Sequence, residues 1–266
     1  MCHLPAPGAW NMAVDEVLLE SASAKTALPA LRFFAWEPVC VSIGIAQARS
    51  EIDIDALRRR DWDIVRRPTG GRAILHTDEF SYSIMAPPDD PIMHGTLMDS
   101  YNRISQALLR GLEKLSLSAR ADSVYTVPAG SNPKAPVCFE IPSNYEVMVG
   151  NKKIMGSAQT RRMTGILQHG SLPLHGDIGR ITQILRFPDE ASRTGCRERL
   201  LEHAVTVQTA LGRIVTWEEA ASAFAAAFSE VCGLGLRVDE LTTAEVSRAQ
   251  ELVTSKYAHD SWTFRL

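Results

Sequence analysis

A thiol, an ammonium and a run of glycine and small polar residues lie within one stretch of this chain, between Cys138 and Ser171. It reads Cys-Phe-Glu-Ile-Pro-Ser-Asn-Tyr-Glu, then a turn at Gly150-Asn151, then Lys-Ile-Met-Gly-Ser-Ala-Gln from Lys153 and Leu-Gln-His-Gly-Ser from Leu167. The nucleophilic form of cysteine is the thiolate, and a neighbouring cation favours it. Brought together, Cys138 and Lys153 would form the centre of an acyl-transfer site. Gly156-Ser157-Ala158-Gln159 and His169-Gly170-Ser171 would then offer backbone N–H groups and short polar side chains to a developing oxyanion. Two alternatives stand beside this reading. Cys138 lies between Val137 and Phe139, and a free cysteine in such a setting is commonly a small buried hydrophobe. Lys152 competes with Lys153, because a strand sends neighbouring side chains to opposite faces and only one lysine can point at the site.

A second cluster runs from Arg66 to His76, as Arg-Arg-Pro-Thr-Gly-Gly-Arg-Ala-Ile-Leu-His. Paired glycines let a backbone approach a ligand closely, and the flanking arginines supply charge-assisted donors. The stretch lacks the Gly-Lys-Ser/Thr of a Walker loop and the Gly-x-Gly-x-x-Gly of a dinucleotide fold. It serves equally well as a tight turn with solvent-facing arginines. His76 alone is as compatible with a structural role as with a catalytic one.

Composition narrows the classes. The 266 residues are 45% hydrophobic and 22% charged with a formal net charge of −3, an ordinary balance for a globular protein with a large core. There is no global basic field for nucleic acid, and Arg58-Arg59-Arg60 reads as a solvated helix face. Cys2, Cys40, Cys138, Cys196 and Cys232 are odd in number and scattered, with no Cys-x-x-Cys pair. No secretory pattern opens the chain, so a reducing cytoplasm is expected. The seven histidines form no group with zinc spacing, and no apolar run has the length of a membrane span. Neither a metal nor a membrane is expected.

The elements that must position these residues follow from periodicity. Trp10, Ala13, Val14, Val17 and Leu18 recur at helical intervals. Two short strands are expected over 31–36 and 39–45, then a helix from an N-cap at Ser50 to Leu57. Ile64 to Arg67 reads as a strand entering the glycine turn, and Phe80, Tyr82 and Ile84 alternate with serines as in a half-buried strand. A helix carries Ile104, Leu108 and Leu112 on one face, and 127–136 is a Pro/Gly/Ser/Asn-rich excursion. Strands 145–149 and 152–157 form a hairpin, since glycine at the first turn position suits a type II′ turn. Thr216 with Glu219 and Thr242 with Glu245 read as capping boxes, making about 212–266 helical. Alternation is too irregular for a doubly wound sheet. An α+β fold follows, with a mixed, mostly antiparallel central sheet and flanking helices, forming one domain over 1–266.

These motifs together resemble the biotin/lipoate protein ligase superfamily, and within it the cysteine-dependent octanoyltransferases of lipoate biosynthesis. The resemblance rests on Asn11 to Glu16, Arg66 to Ala73, Tyr82-Ser83, Cys138-Phe139, Pro142-Ser143-x-Tyr145-Glu146, Lys153 to Gln159 and Leu167 to Ser171. It implies that Cys138 takes an octanoyl group as a thioester and that Lys153 depresses the thiol's pKa and holds the acyl carbonyl. It also implies that Arg67, Thr69, Gly70, Gly71 and His76 line an acyl pocket with Gly156, Ser157 and Ala158, with Gln159, His169 and Gly170 beside them. His169 could instead simply pack beneath the site. The implied partners are octanoyl-acyl carrier protein as donor and a lipoyl-domain protein as acceptor, either glycine-cleavage H protein or a dehydrogenase E2 lipoyl domain. No cofactor is expected. The same fold serves ATP- and Mg²⁺-dependent lipoate–protein ligases, which need no cysteine and often carry a C-terminal accessory domain. Cys138, and a chain stopping shortly after Trp262, favour the transferase. A transferase working between two lipoyl domains, or an idle lipoyl-domain binder, fits the motifs less well.

Overall fold

The computed structural model describes residues 5–122 and 146–266. Cys138, Phe139, Pro142, Ser143, Tyr145, Cys2 and the 127–136 excursion lie outside the described residues.

Helix α1 (Gly8–Ser23) leads into β1 (Ala30–Phe34) and β2 (Cys40–Ile43). A short α2 (Ile54–Arg58) precedes β3 (Asp63–Arg66), β4 (Ile74–His76) and β5 (Glu79–Ala86). After α3 (Leu97–Lys114) come β6 (Arg120–Asp122), β7 (Glu146–Val149), β8 (Lys152–Arg161) and β9 (Ile166–Pro173). The remainder is helical: a 3₁₀ segment Ile178–Ile184, α4 (Glu190–His203), α5 (Val207–Leu211), α6 (Trp217–Cys232), α7 (Thr243–Leu252) and α8 (Asp260–Thr263). The strands make two sheets, one of six strands in the order β1-β5-β9-β8-β7-β6 and one of three in the order β3-β2-β4. Every pair in the large sheet is antiparallel. In the small one β2 runs parallel to β3 and antiparallel to β4. The α+β, mostly antiparallel class expected from the sequence is the one observed, divided between two sheets.

Strand β5 shows why both faces of the large sheet must be covered. All eight of its residues are buried. Phe80, Tyr82 and Ile84 join Ile104, Leu108, Leu112, Phe224 and Phe228 from α3 and α6 on one face. Met85 packs on the other face with Met12, Val14 and Leu18 of α1. The alternating serines are therefore internal, not solvated. Ser83 donates to Asp15 Oδ1 at 2.8 Å and Ser81 to Glu79 Oε1 at 2.6 Å. A polar group withdrawn from water needs such a partner.

Several local expectations shift by identifiable chemistry. The helix before β3 is capped by Asp53, whose carboxylate accepts from Ala56 N at 3.0 Å, while Ser50 lies in a preceding 3₁₀ turn. Thr242 and Glu245 form a reciprocal capping box. At Thr216 only the threonine half forms, because Glu219 turns to Arg213. Thr96 with Asp99 makes a further box through an aspartate in the glutamate position. Helical structure also begins well before residue 212: α4 turns only Cys196 and Leu200 into the core, so its sequence shows no apolar stripe.

Candidate active site

The glycine turn follows directly on β3 and is held rigidly. Arg67 donates to Ser42 O at 2.9 Å, to Gly70 O at 2.8 Å and to Arg72 O at 2.8 Å. One guanidinium thus satisfies three carbonyls of the turn and of β2. Gly71 sits at φ +89°, a conformation other residues rarely adopt. Gly44 faces it so closely that an added Cβ would collide with the Gly71 carbonyl. Arg66 points the other way, to Gly44 O and Gln47 O at 2.7 Å each and to Thr263 O at 3.0 Å near the C-terminus. Alternation along β3 has divided the paired arginines between two structural tasks.

Strands β8 and β9 form the opposite wall. Gly156 pairs with Ser171, Ser157 with Gly170, Ala158 with His169 and Gln159 with Gln168. Ser157 Oγ lies 2.8 Å from Tyr82 Oη, Gln168 donates to Tyr82 Oη at 2.9 Å, and Gln159 donates to Gln168 at 2.8 Å. Burial pushes the Tyr82 phenol up to about 12, so it stays protonated. Gly170 leaves the space Tyr82 occupies: a Cβ there would lie 2.5 Å from the ring edge.

Two histidines close the walls. His169 Nε2 lies 2.6 Å from Thr69 Oγ1, and its Nδ1 faces Asp15 Oδ2 at 3.8 Å. That distance is long for a hydrogen bond and makes the contact electrostatic. Burial holds the His169 imidazole below its usual value despite Asp15. Asp15 is fully buried, and although burial would raise its carboxyl, Arg32 at 2.8 Å together with His169 and Ser83 holds it below its usual value. His76 contacts Glu79 through Nδ1 at 2.6 Å and Ser42 Oγ through Nε2 at 2.7 Å, with its ring stacked 3.8 Å from Trp36.

Between the walls lies a cavity of about 510 Å³. Arg67, Gly70, Gly71, His76, Gly156, Ser157, Ala158, Gln159, His169 and Gly170 all line it. Thr69, expected in the lining, is not part of it and meets His169 instead. Arg72 of the glycine motif also lines the cavity, whereas sequence reasoning did not pick out Met12, Phe34, Trp36 and Ile74 as apolar lining, nor Ser42, Gln47 and Tyr101. These are scattered from residue 12 to residue 101, so no local spacing signals them. Lys153 lies outside the lining, buried on β8 with its Nζ 2.6 Å from Glu146 Oε1. Lys152 turns to the other face and donates to Leu201 O at 2.6 Å. A lining that combines apolar side chains with hydrogen-bonding groups accommodates an acyl chain with a polar head. Among the described residues there is no cluster of three or more His, Cys, Asp or Glu placed to hold a metal.

The family model for the lipoyl protein ligase A/B catalytic domain matches residues 7–229, a span carrying both walls of the cavity. The chain belongs to this family. Among relatives of the lipoyl protein ligase A/B family, the octanoyltransferase LipM of Kyrpidia tusciae is 41% identical over 97% of this chain and 94% of its own length. LipM of Bacillus subtilis is 35% identical over 98% and 95%. The bi-partite lipoate protein ligase of Thermoplasma acidophilum superposes with a TM-score of 0.80 at 25% identity, over 99% of this chain and 94% of that one. A lipoate-protein ligase A bound with ATP gives 0.77 at 27% identity, over 99% and 97%.

Proposed function

We propose that this chain is an octanoyltransferase of lipoate biosynthesis, moving octanoyl from acyl carrier protein to the lysine of a lipoyl domain through a thioester on Cys138. The observation that carries the reading is the agreement between near-full-length identity to octanoyltransferases, 35% and 41% for the two above, and the mixed apolar and hydrogen-bonding cavity. Residues 1–266 act as one catalytic unit.

The Cys138 thiolate attacks the octanoyl carbonyl, a C–S bond to Cys138 forms, and the carrier's C–S bond breaks. The carrier sulfur leaves as a thiolate and takes up a proton. The ε-amine of the acceptor lysine then forms a C–N bond as Cys138 Sγ departs. The proton released by the amine balances the one taken by the carrier thiol, and because the acyl group arrives already activated as a thioester, no ATP is needed. Lys153 supplies the positive charge that favours thiolate over thiol. The octanoyl chain lies along Met12, Phe34, Trp36 and Ile74. The amides and hydroxyls of Gly156 to Gln159 face the carbonyl end. The acceptor is a glycine-cleavage H protein or an E2 lipoyl domain.

The superposition on ATP-dependent ligases supports a second reading, lipoate–protein ligase. Intact-protein mass spectrometry after mixing with octanoyl-carrier protein, without ATP, separates the two. A hydroxylamine-labile octanoyl adduct, absent in Cys138→Ala, is the expected result. No adduct, together with lipoyl-domain modification on adding ATP, Mg²⁺ and free lipoate, would make the ligase reading correct.

A further inference from the structure

Glu146 opens β7, opposite Asp122 of β6 in register. Met148 sits directly opposite Lys153, and the register shifts between Val147 and Met148. Glu146, two residues before Met148, shares its face and stands diagonal to Lys153, a separation long side chains span. The span is made: Lys153 Nζ donates to Glu146 Oε1 at 2.6 Å, with the two side chains only 3% and 5% exposed. A buried ammonium is costly unless a counter-charge meets it. Other charged groups lie on the packed elements. Arg120 of β6 turns to Gly150 O, and Lys152 faces α4 through Leu201 O. Glu113 and Lys114 of α3 and Arg197, Glu198, Arg199 and Glu202 of α4 are exposed.

We infer that Glu146 is a positioning residue of the acyl-transfer site, holding Lys153 as an oriented ammonium through the buried 2.6 Å contact. The inference rests on the proposed role of Lys153. The carboxylate fixes one direction of the ammonium. It also favours the protonated lysine as pH rises, because an adjacent carboxylate stabilises the charged form of the amine. Glu146 would therefore set the alkaline end of the enzyme's working range while touching no substrate atom.

The test is the pH dependence of kcat/KM for octanoyl transfer in the wild type, Glu146→Gln, Glu146→Asp, Lys153→Ala and the double variant Glu146→Gln/Lys153→Ala. Thermal melts identify which variants are folded. Glu146→Gln should move the alkaline limb down by about one pH unit or more, lowering the rate at pH values above the wild-type limb by about tenfold. Glu146→Asp should recover most of the limb, and this variant alone carries the test should the glutamine form be unfolded. The double variant should be no slower than Lys153→Ala, because the two side chains act as one unit. An unmoved limb in folded Glu146→Gln beside an impaired Lys153→Ala would overturn the inference alone, as would losses that multiply in the double variant. An unimpaired Lys153→Ala would instead overturn the lysine's proposed role and remove the inference's basis.

Discussion

Thr69 and His169, 100 residues apart, meet at 2.6 Å and join the two sheets across the cavity wall. Thr69 belongs to the turn after β3 and His169 to β9, so this hydroxyl–imidazole bond ties one wall to the other. Thr69→Val keeps the shape and removes the bond, leaving Nε2 without this partner in a buried setting. The loss should be about 1–3 kcal/mol, read from urea unfolding, with a raised KM for the acyl donor. Unchanged stability and KM would mean that packing alone sets the wall spacing.

Acid sensitivity should begin above the carboxylate range. Burial holds the folded-state value of His169 below the ordinary 6.5. As pH falls below 6.5 the unfolded chain binds a proton that the native His169 does not. The native state therefore loses stability as pH drops from 6.5 toward the folded value. Asp15 and Glu79 are depressed below 3.8 and 4.5, so their contribution is fully present above those values and is lost only in stronger acid. Urea midpoints between pH 7.5 and 5.5 should fall in the wild type and flatten in His169→Gln. Parallel slopes would assign the effect to another group.

Gly170→Ala should damage site and fold together. The new methyl would lie 2.5 Å from the Tyr82 ring edge and 2.7 Å from both Gly156 O and Ser157 Oγ. Two of these neighbours lie on β8, the strand paired with β9 in the same wall, so relief displaces Ser157. Overpacking of this kind costs about 1–3 kcal/mol. A variant with wild-type melting temperature and transfer rate would show that β8 and Tyr82 yield freely.

Alkylation of the native protein should distinguish the cysteines. Cys40 and Cys196 are fully buried, and burial pushes the Cys40 thiol well above its ordinary value. Burial also raises the half-buried Cys232 thiol. Under the proposed mechanism, peptide mapping after brief iodoacetamide treatment at neutral pH should find Cys138 modified first. Faster labelling of Cys232 would contradict a thiolate at Cys138.

Local chemistry was written in the sequence wherever a short stretch supplied both the element and its reason. The Gly150-Asn151 hairpin, the alternation of Lys152 and Lys153 and the box at Thr242 needed no distant partner. Glycine spacing likewise marked both walls of the cavity, since close backbone approach leaves a compositional trace. Tertiary structure decided what depends on meetings between remote segments. It placed Arg66 against Thr263, set Thr69 on His169, stacked Trp36 on His76, and buried Ser83 against Asp15 of α1 and Ser81 beside Glu79 and Trp36. It also turned Glu146 toward Lys153 across a shifted register. Periodicity reports which face of an element is buried, but a buried polar side chain is satisfied by whichever segment arrives opposite it, and that choice is made only when the sheets and helices pack.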